Sequence, residues 1–183
     1  KDCHNYQDFR KLAKKKLPSP IFHYIDGAAD DELTYQRNTQ SFQSCDLVPN
    51  ILRGVENIDM SVTVMKQELA MPIYCSPTAL QRIFHHEGEN AVAAAANKFG
   101  TLFGVSSLGT ASLTQIRDRY DGPQCYQFYF HKDRGLNKVM LENAKQAGVD
   151  VMMLTVDTIT GGNRERDLKT GFAIPFNLTF RGL

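Results

Sequence analysis

Five polar side chains in this chain stand where chemistry could be done: Thr78, Ser106, Gln127, Tyr129 and Thr155. Each lies within or just after a short apolar run. Residues 73–76 lead into Pro77-Thr78, and residues 102–105 lead into Ser106-Ser107. Residues 125–130 carry Gln127 and Tyr129, and residues 151–156 carry Thr155 and reach Asp157. An amide, a phenol and several hydroxyls can donate and accept hydrogen bonds together. Gathered at one cavity mouth, they suit a small polar ligand. A polar-capped sheet with no ligand is the plain alternative.

Strand alternation sorts these groups. Cys125, Gln127 and Tyr129 share one face of their run, and the apolar Tyr126, Phe128 and Phe130 share the other. The second face suits packing under helices, so Gln127 and Tyr129 point the opposite way. Thr155 likewise lies opposite Leu154 and Val156. A flat heteroaromatic ring that both donates and accepts hydrogen bonds fits such a set, and a flavin has this character. No Gly-x-Gly-x-x-Gly follows a strand-like run and no Gly-x-x-x-x-Gly-Lys occurs, so neither a Rossmann dinucleotide site nor a P-loop is supported.

The elements that must position these groups alternate. Residues 85–99 read as a helix with Ala91, Val92, Ala95, Ala96 and Phe99 inward. Ser112-x-x-Gln115 matches a capping box before a helix bearing Leu113, Ile116 and Tyr120. Residues 134–147 read as a helix with a stripe of Leu136, Val139, Met140, Ala144 and Ala147, stopped by Gly148. Strands alternating with helices imply βαβ units and a parallel sheet. The fold class is therefore α/β. Polar groups at the carboxyl ends of successive parallel strands are the mark of the (β/α)8 TIM barrel, and four strand units make half of one.

Ahead of this part, residues 5–16 read as a helix capped by Asn5, with Tyr6, Phe9 and Ala13 on one face. Ser19-Pro20 reads as a cap with proline at the first helical position, and the short helix 21–26 stops at Gly27. Asp30-Asp31-Glu32 places acids at the start of a third helix. Residues 44–72 read as a surface connection with a short strand near Val62-Thr63-Val64. The expected division is residues 1–70 for the helices and connection, 71–157 for barrel strands one to four, and 158–183 for a loop on the active face. That loop is marked by Gly161, Gly162, Gly171, Pro175 and Gly182.

The 183 residues carry 21 basic and 20 acidic side chains, a formal net charge of +1 that gives no support for a nucleic-acid partner. Lys14-Lys15-Lys16 reads as a solvated helix end. Cys3, Cys45, Cys75 and Cys125 are far apart and form no Cys-x-x-Cys, which favours free thiols over a disulfide framework or a zinc site; no metal is expected. No apolar run of about 18 residues and no signal peptide are visible, so a protein that is cytoplasmic or peripheral to a membrane, and not secreted, is expected. The chain opens at Lys1 rather than Met.

Six segments in order make the chain resemble a known family. They are His23-Tyr24-Ile25-Asp26-Gly27-Ala28, Ser76-Pro77-Thr78-Ala79, Ser106-Ser107-Leu108, Tyr126-Gln127-Phe128-Tyr129, Leu154-Thr155-Val156-Asp157 and Gly162-Asn163-Arg164-Glu165-Arg166-Asp167. The family is that of the FMN-dependent α-hydroxy acid oxidases and dehydrogenases, which includes glycolate oxidase, lactate oxidase, the flavocytochrome lactate dehydrogenases and mandelate dehydrogenase. The resemblance implies that Pro77, Thr78 and Ala79 contact FMN through backbone and one hydroxyl, and that Ser106, Gln127 and Thr155 hydrogen-bond its polar edge. It implies that Tyr24 binds the substrate carboxylate. Tyr129 serves the substrate hydroxyl or its developing charge, and is the one catalytic residue expected here. Arg164 attracts the anionic substrate near the entrance. Duller readings remain: Tyr24 as helix core, Arg164 as a solvated ion-pair partner, and Pro77 as a turn former.

By the same resemblance, the reaction takes an α-proton and two electrons from a 2-hydroxy acid, giving a 2-oxo acid. Electrons leave through FMN to oxygen, a quinone or a cytochrome. Leu108 falls against the substrate side chain, which favours lactate or a larger acid over glycolate. The family's histidine base, principal arginine, flavin-facing lysine and phosphate site lie in the second half of its barrel. A missing second half is therefore an expected partner, as continuation of the polypeptide or as a companion fragment. A homo-oligomer is also expected, tetramers being common among relatives. Two other readings stand beside this one: another FMN-barrel enzyme, and a non-catalytic fragment or assembly subunit.

Overall fold

The computed structural model describes residues 3–173, so Pro175, Gly182 and the end of the expected 158–183 loop lie outside the described residues. Two compact units are present among the described residues: Gly54–Ile159, and residues 3–53 together with 160–173. Residues 54–70 thus group with the sheet, while the segment after Thr160 groups with the N-terminal helices.

In the first unit, α1 (Tyr6–Lys16) begins at Asn5, whose side chain accepts from the Asp8 amide at 3.0 Å. The α2 helix (Ser19–Asp26) starts one residue before the expected proline position. Pro18 is its cap, at φ −53, and its hydrocarbon ring has no polar atom to make a side-chain hydrogen bond. Gly27 ends α2 with an extended φ of −88, and a Cβ there would sit 2.6 Å from the His23 carbonyl. Close approach, rather than a left-handed turn, requires glycine. The α3 helix (Leu33–Gln43) follows Glu32, a left-handed cap at φ 58. The expected acids therefore precede the helix instead of filling its first turn. A short α7 (Glu165–Thr170) packs on α2.

The second unit holds the β-structure. Strands β1 (Val62–Val64) and β2 (Gln67–Leu69) form an antiparallel hairpin. Its turn residues Met65 and Lys66 both have positive φ, as a two-residue type I′ hairpin turn requires. Strands β3 (Phe103–Ser106), β4 (Gln124–Tyr129) and β5 (Val151–Thr155) form a parallel sheet in that order. The strand expected at 73–76 is only a single parallel bridge, Cys75 to Phe103. Pro72 and Pro77 bracket it, and Pro77 has no N–H to extend the ladder.

Helices α4 (Glu89–Lys98), α5 (Leu113–Arg117) and α6 (Arg134–Gln146) cover one sheet face. The α4 helix starts four residues later than expected, after a turn ending at Gly88 with φ 49. Ala93 and Ala96 are buried and Val92 packs against the core, whereas Ala95 and Phe99 are exposed. The alanine run blurs the periodicity that marks a face. The α5 capping box is present as expected, Ser112 accepting from the Gln115 amide at 3.1 Å. On α6, Ala144 and Ala147 are buried, while Leu136 and Val139 are exposed. Asn137 is buried instead and exchanges two hydrogen bonds with the His131 backbone, at 2.9 and 2.8 Å.

Strand alternation divides the core as expected. Phe103, Val105, Tyr126 and Phe128 pack with the helices, joined by Leu113 and Ile116. Leu102 and Cys125 pack on the other face with Leu69 of β2. All four cysteines are free thiols, and burial pushes those of Cys75 and Cys125 up. No helix among the described residues is long and apolar enough to cross a membrane.

Candidate functional site

The carboxyl ends of β3, β4 and β5 carry a connected run of polar side chains. Ser106 pairs in register with Gln127, and Tyr129 with Thr155. Ser106 donates to Gln127 Oε1 at 3.2 Å, and the Ser107 amide reaches the same oxygen at 3.4 Å. Gln127 Nε2 donates to Thr155 Oγ1 at 2.7 Å. In the backbone ladder Gln127 lies opposite Met153. Its side chain therefore leans along the strand to reach Thr155, the next residue on the same face. The Leu108 amide donates to Ser106 Oγ at 3.1 Å and completes the array.

Counting donors shows what the array can still do. The Ser107 N–H, which donates to the Gln127 backbone carbonyl at 2.9 Å, also faces Oε1, so the amide oxygen rather than the amino group suits that side. The bond to Thr155 uses one of the two Nε2 hydrogens, and the Thr155 hydroxyl, accepting that bond, keeps its own proton. Two donors therefore remain at the rim beside the phenol of Tyr129. Such neutral donors suit the carbonyl-bearing edge of a flavin, and Ser106 and Gln127 are themselves buried.

The loop carrying Pro77, Thr78 and Ala79 lies close to β3. A Cβ on Gly104 would fall 2.7 Å from Pro77 Cδ. The Leu80 amide donates to the Leu108 carbonyl at 3.1 Å, tying this loop to the one after β3. The Thr78 hydroxyl stands apart from the array: it turns back to the Ser76 carbonyl at 3.5 Å, a local bond that a threonine just past a proline turn readily makes.

Tyr24 and Arg164 meet within the first unit. The Arg164 guanidinium lies 5.2 Å from the Tyr24 ring centroid and donates to the Tyr24 carbonyl. Its Nε donates to Asp167 Oδ2 at 2.6 Å. Tyr24 stacks on Phe172, with ring centroids 4.1 Å apart. Neighbouring Asp26 is buried and takes Arg10 Nη2 and Arg166 Nη1, each at 2.9 Å, while Arg166 also pairs with Glu32. The hydrogen-bonded Arg10, with Arg166 second, holds the Asp26 carboxyl below its usual range against the opposing effect of burial. Asp26 in turn raises the Arg10 guanidinium.

Asp167 and Phe172 escaped the sequence reading as site residues. Asp167 stands three residues after Arg164 on a helical turn, a spacing that signals a pair. Phe172 carries no comparable signal, since its ring reaches Tyr24 only through the turn at Gly171.

A family model, FMN-dependent dehydrogenase, matches residues 13–183. The chain belongs to that family. Glycolate oxidase 3 of Arabidopsis thaliana is 37% identical over 177 residues, covering 97% of this chain and 48% of the relative. L-lactate oxidase of Streptococcus iniae is 38% identical over 178 residues, covering 97% and 44%. A solved (S)-mandelate dehydrogenase, described as a monotopic membrane protein, superposes with a TM-score of 0.92 at 30% identity, covering all of this chain and 48% of that one. The chain thus spans about half the length of the curated relatives it matches. Its βα units are the N-terminal part of the TIM barrel of these FMN-dependent enzymes.

Proposed function

We propose that the polypeptide containing these residues binds FMN and oxidises a small 2-hydroxy acid to the 2-oxo acid. The observation that carries this reading is the Ser106–Gln127–Thr155 array, which keeps two donors beyond its internal bonds, in a chain of an FMN-dependent family. FMN, when bound, supplies the two-electron acceptor. Ser106, Gln127 and Thr155 hold its polar edge, and the backbone at Pro77, Thr78 and Ala79 contacts it. Tyr129 donates to the substrate hydroxyl and steadies the charge that develops there.

Tyr24 and Arg164 bind the substrate carboxylate. Asp167 and the Tyr24 carbonyl take two of the five guanidinium N–H donors of Arg164. The remaining three present a fixed fork, and a bidentate guanidinium–carboxylate pair orients as well as attracts. Leu108 walls the substrate side chain and favours lactate or a larger acid over glycolate. The second half of the barrel completes the apparatus.

The test is spectroscopic. The purified full-length polypeptide should be yellow, and anaerobic L-lactate, but not NADH, should bleach it. Bleaching by NADH alone would assign another FMN-barrel reaction. A colourless protein that takes up no added FMN would leave only an assembly role.

A further inference from the structure

Glu89 has no exposed surface at all. A carboxylate removed from water needs donors. None of the ion pairs among the described residues involves Glu89. It takes both its hydrogen bonds from Thr110: the amide reaches Oε1 at 2.7 Å, and the hydroxyl donates to Oε2 at 2.5 Å. Glu89 opens α4, so the positive end of that helix adds to its stabilisation.

Two glycines make the approach possible. A Cβ on Gly109 would lie 2.9 Å from the Ser106 carbonyl and 3.3 Å from Glu89 Oε1. A Cβ on Gly88, in a left-handed conformation, would lie 2.6 Å from Arg82 Cγ.

Thr110 is also a junction. Its hydroxyl accepts from the Arg82 amide at 3.2 Å, and its carbonyl accepts from Arg82 Nη1 at 3.4 Å. One threonine thereby joins three pieces of chain: the start of α4, the loop after Pro77, and the loop after β3. Leu108, half exposed, is slung between two anchors of that last loop, Ser106 on one side and Thr110 on the other.

We propose that Glu89 and Thr110 are positioning residues for substrate selection: they fix the loop that carries Leu108 and so fix the apolar wall against the substrate side chain. This rests on the reading of the protein as a 2-hydroxy acid oxidoreductase. A rigid wall discriminates by size, whereas a loosened one yields to the larger acid. An apolar wall that differs by a methylene or two is worth about tenfold in relative kcat/KM.

The experiment compares Thr110→Val, Thr110→Ser and Glu89→Gln in the full-length, FMN-loaded polypeptide. Hydrogen exchange reads the amides of Leu80, Leu108 and Thr110, and kinetics reads kcat/KM for L-lactate against a long-chain 2-hydroxy acid. Thr110→Val should speed exchange at all three amides and shift the kcat/KM ratio by about tenfold, mostly through KM, with the flavin spectrum unchanged. Thr110→Ser keeps the hydroxyl and should restore both readouts. Glu89→Gln should fall between them. Unchanged exchange in Thr110→Val would overturn the proposal, as would an equal loss of kcat for every acid. A wild-type protein that protects these amides yet oxidises no 2-hydroxy acid would overturn the functional reading itself, and the selection role with it.

Discussion

The candidate-site groups of the two units are held by different physics, although the sheet unit also contains ion pairs, Arg117 with Asp150 among them. In Gly54–Ile159, neutral side chains on adjacent parallel strands pass hydrogen bonds sideways, from Ser106 to Gln127 to Thr155. In the other unit, charges do the holding: Arg10, Asp26, Glu32 and Arg166 form one network, and Arg164 and Asp167 form a pair. The neutral array is set by strand register. The ionic network joins residues as far apart as Asp26 and Arg166, which no local pattern connects. A neutral array responds little to salt and acid, whereas an ionic network responds to both.

The largest expected effect comes from breaking the ionic side. Asp26→Ala removes the buried carboxylate from Arg10 and leaves Arg166 with Glu32 alone, and should lower stability by about 3 kcal/mol in urea unfolding. Gln127→Leu is the matching break on the neutral side. It takes the acceptor from the Ser106 hydroxyl and the donor from the Thr155 hydroxyl, which should cost about 2 kcal/mol and weaken FMN retention on gel filtration.

Acid should separate the units. The folded Asp26 carboxyl titrates below its unfolded value of about 3.9, so the unfolded chain binds more protons in that window. Its stabilisation is whole above the unfolded value and is lost as pH falls through the folded one. The slope is at most about 1.4 kcal/mol per pH unit for one group. Exposed Asp59, lowered by the Ser61 amide, titrates on the other unit but touches no buried network. Hydrogen exchange on stepping down from pH 5 should therefore rise first in α1 and α2, and Asp26→Asn should remove that difference.

A smaller effect sharpens the neutral side. Thr155→Val deletes one acceptor and should cost about 1 kcal/mol in thermal unfolding. The least is expected from Lys169→Ala, which removes an exposed i,i+4 pair with Glu165 and should change stability by less than about 0.5 kcal/mol.

The same contrast explains what could be read beforehand. Tyr126 and Phe128 facing the helices, and Gln127 facing away, followed from alternation alone, because a strand offers two faces and one must be apolar. The face of α4 followed only in part, Val92 and Ala96 inward but Ala95 and Phe99 not, because successive alanines leave 3.6-residue periodicity without contrast. The weak strand at Cys75 was overread, since an apolar run between two prolines cannot sustain a ladder. Asp26 looked like part of a motif, yet nothing local showed it as the centre of an ion network. Glu89 looked like an ordinary acid at a helix start, where the dipole welcomes one.

By itself the sequence determined the alternation of the parallel strands β3, β4 and β5 with helices, the two faces of β4 at Tyr126, Gln127 and Phe128, the capping box at Ser112 and membership of a flavin-dependent family. These depend on short-range periodicity and on motifs that keep their spacing along the chain. Only the tertiary structure decided that Gln127 bridges Ser106 to Thr155 while Thr78 turns away, that Arg164 is held by Asp167 over Tyr24, and that Glu89 is sealed against Thr110. Those outcomes depend on which distant groups arrive within about 3 Å of one another, a distance at which hydrogen-bond geometry is selective and sequence spacing carries no information.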